Sequence, residues 1–174
     1  MRRILLSCAI LGVLSLPAAA GSARASAARK AGFLVVHGAA GDGGVTGSPV
    51  VKLVVHGFVL GSVKPQDEAR VDVYQLPSKG TQGGPTAVGD VSSKTVRWHH
   101  RLTRHEFRGT GFRFRAMGGF YRVVVRGSGV YVFAGGTGTV TLHGSSFDPG
   151  EYSVDGAPFR PLPKRSVTHR LGRG

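Results

Sequence analysis

Beyond residue 25, no stretch keeps apolar residues at i, i+3, i+4 and i+7 for three helical turns. The apolar runs are short instead, and glycine ends or interrupts almost every one. Glycine makes up 28 of 174 residues, about twice the usual roughly 7%. It enters positive φ without steric cost, so this punctuation spells short strands and tight turns. Strands are predicted at Phe33–His37, Val50–Phe58, Val59–Val63, Arg70–Leu76, Thr95–Leu102, Phe112–Ala116, Phe120–Arg126, Val130–Ala134, Thr139–His143 and Tyr152–Val154. The fold class that follows is all-β: one antiparallel β-sandwich, or a partly closed barrel, of about 8–10 short strands.

The first 25 residues read differently. Arg2 and Arg3 precede an apolar run, Ile4 to Leu16, and small residues then offer cleavage after Ala20 or Ala25. That is the layout of a secretory signal peptide. The run is too short for a membrane span, which needs roughly 20 residues. The single cysteine, Cys8, lies inside it, so residues 26–174 carry no disulfide and must rely on a packed core. Secretion or attachment to the cell envelope is expected, with no transmembrane segment in the mature chain.

Residues 26–31 read as a linker, 32–158 as the all-β domain and 159–174 as a basic tail containing proline and arginine. Residues 77–90, "PSKGTQGGPTAVGD", carry the weakest pattern and are expected to form the longest loop. The pentad "LVVHG" occurs at Leu34 and again at Leu53, with "VVVRG" at Val123 and "VTLHG" at Val140. Each reads as a strand followed by its exit turn. If those strands are neighbours, His37, His56, Arg126 and His143 would line one rim.

The formal net charge of +14 falls to +11 without Arg2, Arg3 and Arg24. Nine basic residues and one acid crowd residues 94–126, while residues 157–174 hold five basic residues and no acid. In "GFRFRAMGGFYRVVVRG", alternation sends Phe112 and Phe114 to one face and Arg113 and Arg115 to the other. Met117 to Gly119 reads as a hairpin turn, which would set Arg113 or Arg115 opposite Arg122. Either register stacks arginines on one face, where an anion would relieve their repulsion. A solvated surface in an arginine-rich composition is the plainer account of the same residues.

Catalytic signatures are not found. There is no Gly-x-Ser-x-Gly elbow, and "AGGTGTV" sits between strands, away from any helix N-terminus. In "HHRLTRH", His99 and His100 would point to opposite faces, and the adjacent arginines oppose a divalent cation. No metal or cofactor is implied, and the chain reads as non-enzymatic.

The segments "RGSGVYVFAGGTGTVTLHG" and "GEYSVDGAPFRPLP" resemble a group of small secreted bacterial proteins that pair such segments. The resemblance covers Gly111 to Pro163 best. It implies an exported all-β domain and supplies no catalytic residues. The functional expectation is an exported binding or structural protein that takes acidic cell-wall polymer or another polyanion. Arg113, Arg115, Arg122, Arg126, Lys164, Arg165, Arg170 and Arg173 are its candidate contacts. A carbohydrate- or protein-binding module using aromatics such as Trp98 and Tyr131 is the alternative, and an unrecognised hydrolase is the second.

Overall fold

The computed structural model describes residues 30–76, 84–98 and 102–172. The expected signal peptide therefore lies outside the described residues, as do Arg173, His99 and His100. The described residues form nine strands: β1 (Gly32–Ala39), β2 (Val51–Val63), β3 (Glu68–Leu76), β4 (Thr86–Trp98), β5 (Leu102–Gly127), β6 (Val130–Leu142), β7 (Glu151–Val154), β8 (Arg160–Pro161) and β9 (Val167–Leu171). A 3-10 turn, Gly44–Thr46, accompanies them. Among the described residues no helix is long and apolar enough to cross a membrane.

Alternation builds these strands as expected. In β1, Leu34 and Val36 are buried while Phe33 and His37 face outward. In β5, Phe112, Phe114, Tyr121, Val123 and Val125 enter the core, and Arg113, Arg115 and Arg122 stay exposed. All nine strands belong to one sheet of order β3-β5-β2-β6-β1-β7-β8, with β4 added on β5 and β9 on β6.

The sheet curls over its own core. Arg70 of β3 lies beside Arg108 on one edge and Arg126 on the other, two residues of the same strand. Gln75 is likewise flanked by Thr103 and Tyr121. On both edges the partner numbers fall as those of β3 rise, so both pairings run antiparallel. β5 therefore coils back past β3 and clamps it from two sides. One core results, shared by β1, β2, β3, β5 and β6 and closed by Leu162 and Leu171.

Several expectations are corrected. Met117 to Gly119 is no hairpin turn. β2 runs beside both halves of β5, with Ser62 opposite Arg113, Leu60 opposite Arg115 and Val54 opposite Arg122. Only Phe58 stands against Met117 and Gly118, so the step is a β-bulge, and Gly118 adopts φ 60° there. Neither Arg113 nor Arg115 therefore opposes Arg122 across a ladder. The extra residue shifts the alternation by one, which is why odd-numbered Arg113 and Arg115 share the outer face with even-numbered Arg122 and Arg126.

The second "LVVHG" is not a strand end. β2 continues through it to Val63, and a side chain at Gly57 would strike the Gly135 carbonyl of β6. Nor do the four basic residues form a rim. His56 pairs across to Thr137, His37 to Glu151, and Arg126 to Arg70. Residues 77–83 of the expected loop lie outside the described residues, but Thr86 onward is β4. The expected tail is part of the sheet, since β8 pairs with β7 and β9 with β6. Leu171 is fully buried there, so apolar anchoring continues past residue 158.

Candidate binding face

Registers across the sheet bring basic residues from distant sequence into rows. One row reads Val96, Arg104, Tyr74, Arg122, Val54, Thr139 and Arg170, one residue each from β4, β5, β3, β5 again, β2, β6 and β9. The next reads Lys94, Glu106, Asp72, Val124, Lys52, Thr141 and Thr168. A third begins Ser92, Arg108, Arg70 and Arg126. All point away from the core. With adjacent strands about 4.8 Å apart, a row of this length spans about 29 Å.

Asp72 is the hub of this face. It is 2% exposed, yet it accepts hydrogen bonds from Arg104 Nη2 at 2.7 Å, Arg126 Nη1 at 2.9 Å and Arg70 Nε at 3.4 Å. Glu106 receives Arg104 at 2.9 Å and Arg70 at 3.2 Å. The Asp72 hydrogen bond pushes the Arg104 guanidinium above its ordinary value, against the opposing effect of burial. Tyr74 is sandwiched between Arg104 and Arg122, whose guanidinium carbons lie 5.8 and 5.5 Å from its ring centre. Arg108 pairs with Glu68 at 2.8 Å on the more exposed border. The face thus holds eight cations (Lys52, Arg70, Lys94, Arg104, Arg108, Arg122, Arg126, Arg170) against Glu68, Asp72, Asp90 and Glu106.

The expected contact residues divide between places. Arg122, Arg126 and Arg170 belong to this face. Arg126 is committed to Asp72, whereas Arg122 and Arg170 are exposed. Arg113 and Arg115 lie beyond the bulge, where Arg115 Nε donates to Thr86 Oγ1 at 3.1 Å. Lys164 and Arg165 are exposed on the connection between β8 and β9. Arg70, Arg104, Arg108, Lys52 and Lys94 are members that the sequence expectation does not include. The signal for them is alternation, Arg70-x-Asp72-x-Tyr74 and Arg104-x-Glu106-x-Arg108, which sets charges on one face of each strand.

At the other end the same outer face turns apolar. Phe33 and Phe133 stack at 6.1 Å, Phe58 meets Phe133 at 5.4 Å, and His37 lies 4.9 Å from Phe159. A groove of about 420 Å³ runs between them, lined by His37, Leu60, Tyr131 and Phe133 with Arg113 at its side. Trp98 ends β4 at a distance in register from this groove, on the row of Leu102. His105, whose Nδ1 lies 3.2 Å from Thr95 Oγ1, has its pKa lowered by burial and so favours the neutral ring. No family model, curated protein or solved structure matches the chain.

Proposed function

We propose that this is an exported, non-catalytic binding protein whose basic face takes an acidic polymer of the cell envelope or its surroundings. The observation that carries the reading is the convergence of eight cations from five strands onto one outer face. Asp72 and Glu106 hold Arg70, Arg104 and Arg126 in fixed positions, which lowers the side-chain entropy lost when an anion is bound. Arg122, Lys52, Lys94 and Arg170 border this fixed centre and are exposed to solvent. The arrangement suits repeated negative charge along a chain, and no nucleophile with a base stands among its described residues.

The test is binding to polyphosphate across a salt series, with the triple variant Lys52→Gln, Arg122→Gln, Arg170→Gln beside the parent. The log–log salt slope is expected to flatten by about 2, near 0.7–0.9 per lost phosphate contact, while Arg113→Gln with Arg115→Gln changes it little. Parent protein that fails to bind at low salt, or a slope indifferent to the triple variant, would overturn the reading. The aromatic groove favours a second one, a carbohydrate seated on Phe133 and Tyr131. Neutral-glycan binding that survives high salt and is lost in Phe133→Ala would select it.

A further inference from the structure

Among the described residues β4, β8 and the five-residue β9 each pair on one side only, and these edges are treated differently. β8 is two residues long and contains Pro161, which offers little to an incoming strand. β4 is thirteen residues long, has no proline, and pairs with β5 alone among the described residues. Val88 and Val96 on it are 76% and 41% exposed. A long open edge with protruding valines attracts pairing with another strand.

The sequence of β4 specifies which strand. On its outer face stand Val88, Asp90, Ser92, Lys94 and Val96. Asp90 and Lys94 are equidistant from Ser92, and so are Val88 and Val96. We infer that β4 is a homodimer edge: two copies pair antiparallel about a two-fold axis at Ser92. Asp90 of each copy then faces the second copy's Lys94, and Val88 faces the second copy's Val96. Moving the axis to residue 91 or 93 breaks both matches at once, setting Val88 against Lys94 or Asp90 against Val96. The register is therefore fixed by charge and by apolar contact independently. The interface is isologous, as a two-fold requires, and Gly89, at φ 127°, gives the strand a bend beyond the central segment. The inference does not depend on what the basic face binds, although the joined sheets place the basic faces of the two copies side by side.

Sedimentation of the full chain over a range of concentrations tests it, with folding of each variant checked by circular dichroism. A monomer–dimer equilibrium is expected. Asp90→Lys should weaken it about tenfold or more, because two attractive pairs become repulsive. The exchange Asp90→Lys with Lys94→Asp should restore it. Ser92→Cys in a Cys8→Ser background supplies an independent reading. Directly opposed residues in an antiparallel pair lie within the Cα separation of a disulfide, so oxidation should give a covalent dimer, and Ser166→Cys should not. A chain that stays monomeric would overturn the proposal. So would a dimer that ignores Asp90→Lys and stays uncrosslinked when the Ser92→Cys variant is oxidised.

Discussion

Asp72 shows how one carboxylate organises a surface otherwise made of like charge. Its side chain is 3% exposed, while the three arginines on it keep roughly a quarter of theirs in water, at 22–28%. Removing it leaves three guanidiniums crowded together with only Glu106 to answer them. Breaking a buried pair typically costs about 3–5 kcal/mol, and partial hydration of the arginines sets this case at the low end. Asp72→Asn should therefore destabilise the protein by about 3 kcal/mol, read as a fall in the urea midpoint at unchanged slope. The same change raises the net charge of the face, so polyphosphate affinity should rise in conditions where the variant is folded. Opposite movements of stability and affinity are the mark of a residue that scaffolds a basic face. Only half of this cluster is legible in the sequence. Alternation shows that Arg104, Glu106 and Arg108 share a face, as do Arg70, Asp72 and Tyr74, but nothing local reveals that β3 lies between two parts of β5.

At the scale of elements, the bulge in β5 decides the geometry of both ends of the sheet. Tyr121, fully buried, donates its hydroxyl proton to the Met117 carbonyl at 2.7 Å and so ties the bulge to the core. Burial raises its pKa, with the backbone bond working against that shift. Tyr121→Phe keeps the ring and loses the tie. A cost of about 1 kcal/mol is expected in equilibrium unfolding, because water can reach the carbonyl of half-exposed Met117 and replace part of the bond. Met117-Gly118-Gly119 reads as a reversal in sequence because a glycine pair between alternating runs signals a hairpin and a bulge equally well. The choice is made by β2, whose thirteen residues offer hydrogen bonds to both halves of β5. Similar reasons hide β4 and β9. β4 is an edge whose inward side chains are as small as Ala87 and Val91, so its apolar period is faint. β9 is reached through prolines and basic residues, yet Leu162 and Leu171 carry the burial that holds it.

For the whole molecule, coiling of one sheet around one core has a dynamic consequence. β3 is hydrogen bonded along both edges to the same strand, so it cannot open without separating β5 from itself or unwinding the coil. Its amides, with those of the adjoining parts of β2 and β5, should exchange with solvent only through global unfolding. β4 lacks that protection on its outer edge. In the Asp90→Lys variant, alternate β4 amides, those directed away from β5, should exchange orders of magnitude faster than those of β3. In the parent at concentrations where dimer is populated, the same amides around Ser92 should slow, because the second copy supplies their acceptors. Hydrogen exchange resolved by residue separates the cases. Uniform protection of β4 in the variant would mean that something other than a second copy covers the edge, and equal exchange in parent and variant would leave the edge open in both. Slow exchange confined to the parent would join the long open edge of β4 to the one register its charges and valines both allow.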